Sequence, residues 1–195
     1  MRYLIVCGGK IDKEFGLNEI KTDGIDAIIA ADSGMDFLYE NGVTPDIIVG
    51  DFDSTTTNAL EYFERKGQTE IRRLNPIKDD TDTEYAIRLA ISEGARSIVL
   101  LGATGSRIDH VLGNISLLGI GLESGTDISI IDTNNRIRMA DKPVTIEKSA
   151  QYGRFVSLIA LTDDNEVSLK GFKYPVTDYS FDRFTSLGIS NEIVA

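Results

Sequence analysis

Five short segments carry apolar residues on both of their faces: residues 3–7, 27–31, 47–49, 97–101 and 128–131. A sixth, residues 71–74, is also strand-like. Helical spacing fills most of the gaps between them. One helix carries Phe37, Leu38 and Tyr39 and stops at Asn41-Gly42; a second covers residues 57–66. A third runs over 83–93 and ends at Gly94, and a fourth runs from past Gly105 to about Leu122. Strands that are apolar on both faces and alternate with helices predict a mostly parallel sheet with helices on both faces, an α/β fold. The rhythm changes after residue 132. Residues 144–194 alternate apolar and polar positions between Gly-, Pro- and Asp-rich turns, as in Val144-Thr145-Ile146, Val156-Ser157-Leu158 and Val167-Ser168-Leu169. That pattern predicts a small antiparallel β-sandwich or barrel. The expected domains are residues 1–135 and 136–195.

Composition narrows the partners. The chain has 195 residues, 42% of them hydrophobic, enough for a substantial core. Its formal net charge of -11 disfavours nucleic acid, since Arg72-Arg73 is only a pair and makes no basic patch. No apolar run approaches the ~18 residues that cross a bilayer. The N-terminus enters strand-like sequence directly, without the pattern of a signal peptide. Cys7 is the single cysteine, expected as a small core residue of the first strand. These features lead to an expectation of a cytoplasmic protein that binds neither nucleic acid nor membrane. An acidic field favours a cationic small molecule and opposes an anionic one unless a metal or local cations compensate.

Ligands of parallel α/β sheets bind beyond the C-terminal strand ends. Here those ends carry Gly8-Gly9-Lys10, then Asp32-Ser33-Gly34, then Asp51 and Asp53 within "GDFDS". Next come "KDDTDTE" at 78–84 and "GATGSRIDH" at 102–110. Each has a plain reading. Asp51 and Asp53 could be solvated loop acids, and Thr81 with Glu84 fits a capping box. "GATGSR" could be a turn before a helix, and His110 a structural hydrogen-bonder with no catalytic role. Capping does not account for Asp79, Asp80 and Asp82 together. Carboxylates crowded on one rim destabilise one another unless a cation sits among them. A hard divalent ion such as Mg2+, which takes a few carboxylates plus phosphate oxygens, fits that need. Residues i and i+2 of an extended segment point the same way, so Asp51 and Asp53 are expected to share an ion. The glycines and hydroxyls of Thr104, Gly105 and Ser106 suit a helix start that receives a phosphate, with Arg107 as a clamp.

The combination of "GDFDS" (50–54), "KDDTDTE" (78–84), "TGSRIDH" (104–110) followed by Asn114, and "GISNE" (188–192) resembles bacterial thiamine pyrophosphokinase. The resemblance spans most of the chain. It implies an N-terminal nucleotide domain, a C-terminal thiamine-binding β domain, and a homodimer with thiamine at the subunit interface. The implied reaction transfers a pyrophosphoryl group from ATP to the thiamine hydroxyl and releases AMP. By motif position, Asp51, Asp53 and Asp82 are the acids that handle Mg2+ and phosphate, with Asp79 a further metal candidate. Arg107 and Asp109 face phosphates and thiamine. Asp32, Ser33, Gly34, Lys78, Thr104, Gly105 and Ser106 fall near ATP, and Ser190 and Asn191 near thiamine.

Two departures follow. Relatives usually continue past "SNE" into a final hairpin, so the β domain is expected to lack its last strands. Some relatives stack thiamine under a Trp. This chain has none, which leaves Phe181, Phe184 or Leu187 for that role. Two rival readings remain. One is a haloacid-dehalogenase-type phosphatase, whose D-x-D-x-T pattern "DFDST" matches but normally follows the first strand. The other is a non-catalytic nucleotide- or thiamine-binding module.

Overall fold

The computed structural model describes residues 1–52, 58–75, 80–105 and 107–194. The chain divides into two compact units, Met1–Lys142 and Pro143–Ala195.

The first unit is built on a seven-stranded sheet. Its strands are β1 (Arg2–Val6), β2 (Ala27–Ala31), β3 (Ile47–Gly50), β4 (Glu70–Arg73), β5 (Ser97–Leu101), β6 (Asp127–Ile131) and β7 (Arg136–Arg138), in the order β4-β3-β2-β1-β5-β6-β7. All pairs are parallel except β6 with β7. The helices are α1 (Lys13–Ile20), α2 (Gly34–Glu40), α3 (Ala59–Lys66), α4 (Asp82–Ser92) and α5 (Ile108–Ser124). Alternate side chains of β1 serve two cores, as the pleat requires. Tyr3, Ile5 and Cys7 join Ile87, Leu89 and Ala90 of α4 and Leu118 of α5. Leu4 and Val6 join Met35 and Leu38 of α2 and Phe63 of α3. Both faces of the sheet are therefore covered, which is why its central strands carry no polar alternation. Burial pushes the Cys7 thiol up to about 11, so it is an inert core group.

Two elements of this unit are not predicted by the sequence pattern. One is α1, whose Gly16 and Asn18 are poor helix formers. It forms because the Asp12 carboxylate caps it by accepting the Phe15 amide at 2.9 Å. Phe15 and Ile20 then pack on the second core. The other is β7, a three-residue return strand after a tight turn. β7 pairs with β6, and the first compact unit runs through it to Lys142.

The second unit contains β8 (Asn165–Leu169) antiparallel to β9 (Val176–Phe181), with an irregularity at Val167/Leu169. Isolated bridges join Val156 to Asn191 and Phe172 to Ile193. The alternating segment 144–146 forms no strand; a single 3-10 turn follows at Lys148–Ala150. The antiparallel character matches the expectation. The described pairing is a two-stranded sheet with bridges, less than a full sandwich or barrel. Alternation alone names an exposed face but not the strand that must pair with it.

Candidate active site

Strand order reverses between β1 and β5, and the loops after these two strands lie together. The Gly9 amide donates to the Gly102 carbonyl at 2.9 Å. A Cβ at Gly9 would collide with that same carbonyl, and one at Gly34 with the Val6 carbonyl. The backbones of these loops thus approach without side chains between them, at the position where open α/β sheets take ligands. Ser33 is the N-cap position of α2 but makes no side-chain cap, and its hydroxyl lies beside Gly8.

Three acids converge next to this crevice. Asp32 follows β2, Asp51 follows β3 and Asp82 opens α4; each contributes a carboxylate oxygen, and the three oxygens lie within 4.8 Å of one another. All three residues are half-buried. Oxygens around Mg2+ at about 2.1 Å stand roughly 3 to 4.2 Å apart, so small side-chain adjustments suit the trio to one such ion. The chemistry is hard oxygen ligation with room for further oxygens from a substrate. By sequence position Asp32 is a nucleotide neighbour; the structure places it among the acids. Its backbone is left-handed (φ 48), and its amide donates to the Val49 carbonyl at 2.8 Å.

The expectation that Asp51 and Asp53 share an ion assumed an extended segment. Phe52 has φ 65, so the segment is not extended there and the i, i+2 rule does not apply. Asp53, Lys78, Asp79 and Ser106 lie outside the described residues. The phosphatase pattern also fits poorly, because Asp51 follows β3, flanked by β2 and β4, rather than the first strand.

Helices α4 and α5 border the acids. Thr81 caps α4 by accepting the Glu84 amide at 3.2 Å. The Glu84 carboxylate turns to Arg88 at 2.7 Å, so only half of the expected capping box forms. Asp82 in the first turn also complements the helix dipole. Between the two helix starts is a cleft of about 350 Å³, lined in part by Thr83, Glu84, Asp109 and His110. Arg107 and Asp109 form an ion pair at 2.6 Å, with both side chains well exposed (69% and 65%). The hydrogen bond from Arg107 pulls the Asp109 carboxyl down to about 2. The interaction is complete above the ordinary carboxylate pKa near 4 and is lost as pH falls through about 2. Asp109 is thus a poor proton acceptor at neutral pH and a good fixed charge. In a pH–rate profile between pH 5 and 9, Asp109→Asn is expected to lower the curve without removing either limb. Loss of a limb would identify Asp109 as a base.

The loop after β5 is tied from two sides. Asn114 of α5 donates to the Ala103 carbonyl at 2.8 Å. The Thr104 hydroxyl donates to Asp132 at 2.8 Å. Sequence reasoning missed Asp132. Its signal is the run Asp132-Thr133-Asn134-Asn135 after an apolar strand, which marks a side-chain-stabilised turn.

The "GISNE" residues lie in the second unit. Asn191 is 6% exposed. Its amide nitrogen donates to the Tyr174 carbonyl at 2.8 Å, and its oxygen accepts the Tyr174 amide at 3.1 Å. That side chain ties the Tyr174 backbone in place. Ser190 is exposed, with φ 60, and its amide donates to the Ser157 hydroxyl at 3.0 Å. Of the three candidates for stacking on thiamine, Phe181 is buried in the unit's own core. Phe184 (95% exposed) and Leu187 remain available.

The family model of the thiamin pyrophosphokinase catalytic domain matches residues 21–130, and that of the thiamin pyrophosphokinase vitamin B1 binding domain matches residues 143–195. The thiamine pyrophosphokinase of Bacillus subtilis is 35% identical over 168 residues, covering 85% of this chain and 78% of the relative. A solved thiamine pyrophosphokinase from Bacillus subtilis superposes with a TM-score of 0.87 at 33% identity, over 100% of this chain and 91% of its own. A thiamin pyrophosphokinase from Geobacillus thermodenitrificans gives 0.82 at 30% identity, over 100% and 89%. The chain belongs to the thiamin pyrophosphokinase family.

Proposed function

We propose that this chain is a thiamine diphosphokinase whose phosphate-handling centre is the Asp32, Asp51 and Asp82 trio, with Mg2+ as its ion. The observation that carries the reading is the convergence of these carboxylates beside the glycine crevice of the sheet. ATP brings about four negative charges, and an acid-lined rim accepts them only with a bridging cation. When bound, the ion neutralises phosphate charge and holds the transferring group in line. The protein's own part is placement. The loop 102–105 is assigned to receive phosphate oxygens on its backbone amides. The family resemblance assigns Arg107 to charge on the transferred group and Asp109 to orienting the thiamine hydroxyl. That oxygen forms a bond to the β-phosphorus of ATP, the bond from the β-phosphorus to the α-phosphate bridging oxygen breaks, and AMP leaves. The hydroxyl proton passes to solvent. Such transfers have loose transition states and rely on positioning more than on a strong base. Asp53, Asp79, Lys78 and Ser106 join this centre on the strength of the family resemblance.

The deciding measurement is the product. Incubation with ATP, thiamine and Mg2+ is expected to yield AMP and thiamine diphosphate in equal amounts. Inorganic phosphate as the sole product would point to a phosphatase, and no turnover to a binding module.

The homodimer with shared thiamine sites belongs to the same proposal. The second unit exposes Ile159, Phe184, Leu187 and Ile189, apolar side chains that a partner subunit could cover. A mixing experiment tests it. An Asp82→Asn chain is combined with a Ser190→Arg chain, whose added charge and bulk oppose a cationic substrate. With shared sites, each mixed dimer holds one intact site, and activity should rise towards half per dimer. No recovery despite proven subunit exchange would place each site within one chain.

A further inference from the structure

The loop 102–105 between β5 and α5 lies on the phosphate side of the proposed site, and its position depends on residues that contribute nothing to the acid trio. Asn114 holds the Ala103 carbonyl at 2.8 Å from the α5 side. From the other side, Thr104 donates its hydroxyl proton to Asp132 at 2.8 Å. Asp132 is itself held rigidly. Its other oxygen accepts the amides of Asn134 and Asn135, each at 2.7 Å. The amide of Asp132 donates in turn to the Asn135 carbonyl at 2.9 Å, closing the turn between β6 and β7. A threonine hydroxyl has one proton. Once that proton goes to a carboxylate, the oxygen offers only lone pairs to any other group. Thr104 in this state cannot donate to a phosphate oxygen.

We infer that Asp132 is a positioning residue for nucleotide binding: through Thr104 it anchors the phosphate-side loop 102–105 to the β6–β7 turn, and Thr104 is an anchor of that loop rather than a phosphate donor. The inference rests on the ATP-dependent reading above. It changes the role expected for Thr104 and brings the short antiparallel strand β7 into function, since the β6–β7 turn is what fixes the carboxylate.

The substitution Thr104→Val removes the link, and Asp132→Asn weakens it. In Asp132→Asn the asparagine oxygen still accepts the two turn amides, so the turn is retained. The asparagine nitrogen then faces Thr104 and the Asn135 side-chain nitrogen, where a carboxylate oxygen accepted from both; it can donate to a lone pair of the Thr104 hydroxyl, so the charged link becomes a neutral one and one Asn135 contact is lost. Flipping the amide would set that nitrogen against two backbone donors, which disfavours the alternative. Wild-type turnover of ATP and thiamine is confirmed first, so that failure of the functional reading is seen separately. Thr104→Val is expected to raise KM for MgATP by about tenfold, the loss of one hydrogen bond to a charged group, and Asp132→Asn by about threefold, the exchange of a charged hydrogen bond for a neutral one. KM for thiamine should stay within about twofold. The double variant should lose no more than Thr104→Val alone, because both act on the same link. Thr104→Ser should restore ATP binding. Additive losses would show that Thr104 contacts ATP on its own account and would overturn the proposal. So would an unchanged KM for MgATP in Thr104→Val, or equal losses for both substrates that merely follow a fall in Tm.

Discussion

Replacing Asp51, Asp82 or Asp32 with Asn is expected to lower kcat by on the order of a hundredfold or more, with the fold intact. The exchange is nearly isosteric, so packing is kept while one negative charge is lost from a group of three oxygens within 4.8 Å. Neutralising one member also relieves repulsion between like charges, so thermal stability of the metal-free protein should hold or rise slightly. Activity falling while stability holds or rises marks a functional cluster. A structural cluster would lose both. EDTA should abolish turnover, and restored Mg2+ should recover it. Asp32 is the sharpest case, because its sequence position suggests a nucleotide contact and only its place in the fold puts it with the acids. A normal rate in Asp32→Asn beside a crippled Asp51→Asn would remove it from the centre. Full activity in EDTA would remove the metal altogether.

Gly34→Ala is expected to destabilise the first unit by about 3 kcal/mol or more, the scale of a clash that a packed core cannot absorb. A Cβ there would run into the Val6 carbonyl oxygen at the end of β1. The atom it meets is backbone, and Val6 is fully buried, so no flexible side chain can move aside. The neighbouring chain is also held, since Asp32 donates to Val49 and Met35 donates back to the Asp32 carbonyl at 3.2 Å. A chain of this size should lose roughly 6–12 °C in Tm. Activity should fall further than the remaining folded fraction explains, because the strain acts on the turn carrying Asp32. Gly119→Ala is the control. It lies within α5, and a Cβ added there would meet only the Met139 sulfur, at an ordinary 3.7 Å. There the same exchange should stabilise by about 1 kcal/mol through helix propensity. Equal effects at the two positions would contradict the close approach at Gly34.

The sequence by itself determined the layered α/β unit, because strands buried on both faces cannot be written without continuous apolar runs and the chain has them at β1, β2, β3, β5 and β6. It also placed Asp51 and Asp82 at one rim, since ligand groups follow the C-terminal ends of parallel strands. Helix α1 and strand β7 escaped it, being short and weakly patterned and held by a cap, core contacts and a neighbouring strand. The partners of each acid were decided by tertiary structure alone. Asp32 meets Asp51 because β2 and β3 are neighbours in the sheet, and strand order is not encoded in any local pattern. The left-handed backbone at Phe52 removed the extended geometry on which the sequence argument for Asp51 and Asp53 rested, since a single left-handed residue leaves no trace in hydrophobic periodicity. The hydrogen-bond partners of Asn191 were likewise set at a distance. Its amide answers the Tyr174 backbone 17 residues away, and a buried polar side chain takes the hydrogen-bond partners that the fold brings to it.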